Sequence, residues 1–180
     1  MKKIVITFGL ISGGISMVMM LATMLFMDRI GFDKSYVFGY TVIVLSFMLV
    51  FFGIRSYRDN VSGGRISFGR AFQVGILITL ISCVFYVVTW EALYFTVMHD
   101  FTDKYAAYVI EKEKSSGATE AAVLAKVAEM KQFKELYENP LINAAYTFME
   151  PFPVGLVITV ISAAMLRKQS GAPGMAAAVS

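Results

Sequence analysis

No charged residue stands between Lys3 and Asp28. The run from Ile4 to Met27 is long enough to cross a bilayer as an α-helix, which takes ~20 apolar residues at ~1.5 Å rise each. Two similar runs follow, Ser35–Ile54 and Ala71–Trp90, and a shorter one, Pro151–Leu166, comes after a long charged interval. The chain has 180 residues, of which 57% are hydrophobic and 16% charged. An average soluble domain carries ~25% charge. Four such runs present more apolar surface than a chain this short can hide from water. The expected fold is therefore all-α: a polytopic membrane protein with four transmembrane helices, about 4–27, 35–56, 70–95 and 151–168, in one membrane domain over 1–169. A small, weakly polar tail, 170–180, reads as disordered.

Lys2-Lys3 before an apolar run resembles a signal peptide. The run exceeds the ~7–15 residues of an h-region, and no small-residue cleavage site follows it. An uncleaved helix is expected. The positive-inside rule then orients the chain. Lys2, Lys3, Arg55, Arg58, Arg65, Arg70, Arg167 and Lys168 fall on one side with both termini, and Arg29 is the one arginine on the other. The interval 91–150 has lysines, no arginine and a surplus of carboxylates. Both termini are expected in the cytoplasm and that interval outside.

The interval, about 99–149, reads as a helical insertion between helices 3 and 4. Phe101, Tyr105, Tyr108 and Val109 recur at helical spacing, Ser115-Ser116-Gly117 breaks the pattern, and a second helix follows over about 118–138. Its apolar side is read as Leu124, Val127, Met130 or Lys131, and Tyr137, with Lys131–Glu135 and Lys134–Glu138 pairs on the exposed face. Asn139-Pro140 is read as its stop. The two helices pair as a hairpin, or lie on the bilayer or on a partner. Pro151 and Pro153 leave two readings of the last span. Helix 4 starts at Pro151, where proline costs little, with 141–149 a separate interfacial helix. Alternatively, one kinked helix runs from Asn143.

Apolar surface alone does not draw helices together in lipid, but close backbone approach does. Small residues recur at i+4 as Gly9 and Gly13 on helix 1, Ala71, Gly75, Thr79 and Cys83 on helix 3, and Gly155, Thr159 and Ala163 on helix 4. These stripes are expected to face one another.

Chemistry-bearing residues are few. Cys83 is the one cysteine and His99 the one histidine, which leaves a Cys/His zinc site unsupported. No catalytic residue, metal ligand or cofactor is expected. The spans carry almost no ionisable residue in their interiors, and helices 1 and 2 carry none, which argues against an ion-coupled pump. Glu91 and Glu150 belong to the same outer face and could meet there with His99; otherwise Glu91 is solvated and Glu150 caps helix 4. In the cytoplasmic loop Gly63-Gly64 makes a turn, and Arg65, Phe68 and Arg70 are placed to lie in the headgroup layer. A Gly-Lys-Ser/Thr ending is absent, so the loop is not a phosphate-binding one. Topology alone explains its arginines, and nucleic acid is not an expected partner.

Tyr57-Arg-Asp, Gly63-Gly-x-Ile-Ser-Phe-Gly-x-Ala-Phe, and Glu150-Pro-Phe-Pro-Val-Gly at the last helix together resemble a family of small four-span bacterial membrane proteins known as a domain of unknown function. The resemblance covers about 3–169 and implies the bacterial cytoplasmic membrane, but no activity. The expected function is that of a non-enzymatic accessory or interaction protein, partnered by the bilayer and by another membrane protein or further copies of itself. The alternatives are an oligomeric transporter or channel for a small solute or lipid, and an enzyme using the outer carboxylates.

Overall fold

The computed structural model describes residues 1–167. The tail expected over 170–180, and Lys168, lie outside the described residues. Among the described residues seven α-helices follow in order: α1 Lys2–Ile30, α2 Phe32–Asn60, α3 Phe68–Thr96, α4 Phe101–Ser115, α5 Glu120–Tyr137, α6 Pro140–Met149 and α7 Pro151–Leu166. Four stretches are long and apolar enough to cross a membrane: Lys2–Phe26, Phe32–Asn60, Phe68–Thr96 and Pro140–Leu166. The protein is an all-α integral membrane protein.

The spanning helices extend beyond the expected bounds. A 29-residue helix is roughly 43 Å long at the standard rise, against ~30 Å of hydrocarbon. Charged residues near both ends of α2 therefore fit in the helix while sitting outside the apolar layer. The loop expected over 28–34 shrinks to Gly31, whose φ of 78° is one that glycine adopts without steric cost. The loop after α2 turns on Gly63 and Gly64, both at positive φ. Ser67 then caps α3 by accepting a hydrogen bond from Arg70 N–H at 3.3 Å.

α1 packs on α2 and α3, and α7 packs on α2 and α3, in an up-and-down bundle. The small-residue stripes meet only in part as expected. Gly75 and Thr79 of α3 lie against Gly155 and Thr159 of α7. A Cβ built on Gly155 would stand 2.5 Å from the Thr79 methyl, and one on Gly75 2.8 Å from the Thr159 methyl. The Thr79 and Thr159 hydroxyls share a hydrogen bond of 3.0 Å. Gly9 and Gly13 of α1 meet no small stripe. They receive Ile81 and Phe85, at 2.8 and 2.7 Å from a built Cβ. Small residues let backbones approach, but a bulky i,i+4 pair can fill the same groove. Ser12 ties α1 to α2 by donating to Ser46 C=O at 2.9 Å.

Large apolar side chains also line the outside, Val18, Leu25, Leu45, Val84 and Met165 among them. Helices that are apolar all round suit a lipid solvent.

The insertion is a helical hairpin of α4 and α5. Its details depart from expectation. In α5, Leu124 is 63% exposed while Met130 and Tyr137 are buried. The inward face runs through Met130, Phe133 and Tyr137, because aromatic rings from α3 and α4 compete better for that side. Lys134 bonds Asp103 of α4 at 2.5 Å in place of the expected pair with Glu138. Asn139-Pro140 opens α6 instead of only ending α5. The Asn139 side chain accepts from Leu141 N–H at 3.0 Å, and Pro140 occupies the first turn, where its missing N–H costs nothing.

The last span runs from Pro140 with a break at Glu150, which keeps helical dihedrals of −75° and −58°. Pro151 and Pro153 cannot donate to the carbonyls of Thr147 and Met149, so the ladder is interrupted there. Glu150 thus falls inside the length of the fourth span, where a kinked helix from Asn143 would place it and a helix starting at Pro151 would not.

Candidate functional site

Four helices each carry an aromatic pair at i,i+4, which puts both rings on one face: Tyr36 and Tyr40 on α2, Tyr86 and Trp90 on α3, Phe101 and Tyr105 on α4, Phe133 and Tyr137 on α5. Tyr146 and Glu150 have the same spacing at α6. All ten side chains line one cavity of about 290 Å³ at the end of the bundle covered by the hairpin. Ser16, Met20 and Thr23 of α1 form its floor.

Ring packing fixes the roof. Trp90 meets Phe101 edge-on at 4.8 Å, Tyr94 meets Tyr137 at 5.3 Å, and Phe133 lies 5.0 Å from Tyr137. Such pairs contribute ~0.5–1.5 kcal/mol each beyond their burial. The Trp90 indole N–H donates to the Tyr137 hydroxyl at 2.8 Å. Burial pushes the Tyr137 phenol up to about 12, so it stays a neutral acceptor at physiological pH. Fully buried Asn143 holds the α5–α6 corner. It donates to Tyr137 C=O at 3.2 Å and accepts from the Thr147 hydroxyl at 3.2 Å. At the edge, Tyr108 and Lys112 of α4 both bond Asp33 at the start of α2, the lysine at 2.8 Å. That carboxylate holds the Lys112 ammonium above its ordinary range.

Glu150 is the one carboxyl in the cavity wall, and no Lys, Arg or His lines it among the described residues. Tyr86 O–H donates to Glu150 Oε2 at 2.7 Å. A hydrogen bond to a charged group contributes ~1.5–3 kcal/mol, whereas removing an ion from water costs several kcal/mol. One tyrosine does not balance that cost. The half-buried carboxyl has room for a further partner from the cavity side.

Of the residues expected to form a functional surface, only Glu150 belongs to this site. Glu91 lies beside Trp90 but does not line the cavity, and its Oε1 is buried without a protein hydrogen-bond partner. His99 is exposed. No hydrogen bond or ion pair joins these three, and no cluster of metal-ligating side chains occurs among the described residues. The separation arises because the run from Pro140 turns Glu150 toward Tyr86. For the same reason Glu150 makes no side-chain cap bond to α7. Arg65 and Arg70 are exposed at the opposite end, where Arg70 donates to the Gln73 amide oxygen at 2.7 Å. Phe68 is exposed and stacks on Phe72, while Ile66 is the loop residue that is buried. Tyr86, Trp90, Tyr137 and Asn143 escaped the sequence reading as site residues. The signal was the recurrence of i,i+4 aromatic pairs near one end of successive helices.

A family model described as "Protein of unknown function (DUF4199)" matches residues 7–168. The chain belongs to the DUF4199 family. No curated protein and no solved structure matches it. Every residue of the cavity lies within the DUF4199 match.

Proposed function

We propose that this DUF4199 protein is a non-enzymatic accessory protein of the bacterial cytoplasmic membrane that holds a small molecule in its capped cavity. The observation that carries this reading is the convergence of aromatic pairs from four helices and one carboxyl on an unfilled space. Its volume, about 290 Å³, falls at the low end of small-molecule sites, ~300–1,000 Å³. A purely structural core packs such rings to native density. The arginines at the opposite end support cytoplasmic termini and an outward-facing cap.

Gly39 lines the cavity, and a Cβ built there meets nothing within 4 Å. Gly39→Phe should fill the space without a clash. Native mass spectrometry of wild-type protein in lipid nanodiscs is expected to show a bound small molecule, and the variant to lack it at equal or higher thermal stability. Identical spectra without added mass would count against the reading. Crosslinking in mild detergent tests the accessory role, which a stoichiometric heterologous partner supports. A carrier is the second reading, favoured by a spanning helix interrupted at a half-buried carboxyl, as in transporters. Flux of the bound molecule across proteoliposomes would select it.

A further inference from the structure

We infer that the cavity takes an organic ammonium cation, seated on tyrosine faces with Glu150 as counter-ion and reached sideways from the bilayer between α2 and α6. This rests on the reading that the cavity holds a small molecule, and it names the class.

Three observations converge. The first is charge: Glu150 is the one carboxyl in the wall, and no basic side chain lines the cavity among the described residues. Glu150 accepts from Tyr86 through Oε2. The second is the surround. Tyr36, Tyr40 and Tyr137 lie within electrostatic reach of Glu150. The faces of aromatic rings are negative, and several rings around a cation form a cage suited to methylated ammonium groups. An anion would meet a carboxylate and ring faces. A neutral apolar guest would make no polar contact with the Glu150 carboxyl. The third is access. Tyr36, Tyr40 and Tyr146 are 44%, 45% and 51% exposed, although all three line the cavity. α6 packs on α3, α5 and α7, which leaves its side toward α2 to these tyrosines. Tyr36 and Tyr40 also border a shallow groove along α2 with Val44 and Leu45. A cleft of amphipathic rings beside an apolar groove suits a molecule with a cationic head and an apolar tail.

The sole tryptophan, Trp90, lies in the wall and reports binding by its emission. The probes are choline, hexyltrimethylammonium, and the uncharged carbon isostere of choline in which a tert-butyl group replaces the trimethylammonium. Saturable shifts are expected with both cations, the hexyl compound binding tighter and the isostere at least about tenfold weaker than choline. Glu150→Gln should cost choline about tenfold and the isostere nothing. If that variant does not fold, Tyr40→Leu at the half-exposed rim should cost choline about threefold, with Tyr40→Phe restoring it. Two vesicle compositions separate the sources of the ammonium. With the phosphatidylglycerol fraction held equal, weaker apparent choline binding when the remaining lipid is phosphatidylethanolamine than when it is an uncharged glycolipid assigns a lipid headgroup, and equal binding assigns a free amine compound. An isostere that binds as tightly as choline, with Glu150→Gln and Tyr40→Leu unchanged, overturns the cation while leaving a small-molecule site. Absence of binding by every probe, with Gly39→Phe indistinguishable from wild type, overturns both.

Discussion

At the residue scale, two contacts decide more than their size suggests. Gly155 sits where a Cβ would stand 2.5 Å from the Thr79 methyl and 2.8 Å from Phe47 Cζ. The methyl is fixed to a helix and cannot swing away. Gly155→Ala should therefore cost ~1–3 kcal/mol by overpacking, and Gly155→Leu should reduce folded yield severely. Gly14, with nothing within 4 Å of its built Cβ, is the control. Gly14→Ala should be neutral or gain ~0.5–1 kcal/mol through helix propensity. Thermal unfolding in detergent checks all three, and an equal cost at both glycines would show that the α3–α7 seam is not tight. Tyr137→Phe keeps the ring but leaves the Trp90 indole N–H buried without its acceptor, a loss of ~1–3 kcal/mol. Blue-shifted Trp90 emission should accompany it, since the indole loses its polar partner in a buried site. The i,i+4 spacing made the glycines of α3 and α7 legible in the sequence. It did not reveal what each glycine faces, because spacing along one helix carries no information about its neighbour. Gly9 and Gly13 receive Ile81 and Phe85 for that reason.

At the element scale, the hairpin holds the bundle by rings and by exposed ion pairs, and its titration has a definite sign. Lys112, Lys126 and Lys134 have pKa values raised by Asp33, Glu129 and Asp103. Burial pushes Tyr137 up to about 12. For each group the protonated form is favoured by folding, so its contribution is complete below the unfolded value and is lost as pH rises through the folded one. Asp100, lowered by Lys104, acts in the opposite window and loses its contribution as pH falls through the acid range. The cap should stay seated from neutral pH to about 10 and loosen between about 10 and 12. Trp90 emission followed during alkaline titration checks this. Asp33→Asn, which removes the Lys112 partner, should move the transition to lower pH, and an unmoved transition would dismiss that anchor. The break at Glu150 is the other element-scale device. Pro151→Ala with Pro153→Ala restores two helical donors, and should straighten the span and separate Glu150 from Tyr86. Circular dichroism should stay helical while binding in the cavity falls. The prolines were plain in the sequence, but whether they open a helix or interrupt one depends on what precedes them. Here Asn139 caps α6 and commits the chain to helix well before Pro151, which is a side-chain geometry that sequence spacing leaves open.

At the scale of the whole molecule, the cavity has meaning only relative to the membrane faces. Four spans and an all-α class were legible because the bilayer admits few alternatives for long apolar runs. The cavity was not, because it is assembled from short aromatic pairs contributed by four helices and closed by a hairpin whose inward face, rightly read at Tyr137, omitted Phe133 and took in the exposed Leu124 and Val127. If the arginine end is cytoplasmic, the cleft between α2 and α6 opens in the outer half of the membrane and samples lipids or solutes there. Reversal of the topology would turn the same cleft to the inner half. The chain offers a clean test because Cys83, its one cysteine, is fully buried and should give no background. Ser116→Cys places a thiol on the exposed turn of the hairpin, and Arg65→Cys places one on the exposed loop at the other end. A membrane-impermeant maleimide applied to intact spheroplasts should label Ser116→Cys fully and Arg65→Cys only after permeabilisation. The exchanged pattern would place the cap in the cytoplasm and make the cavity a reader of the inner leaflet. Labelling of both in intact spheroplasts would mean that the arginines fail to fix a single orientation, and that the protein inserts both ways.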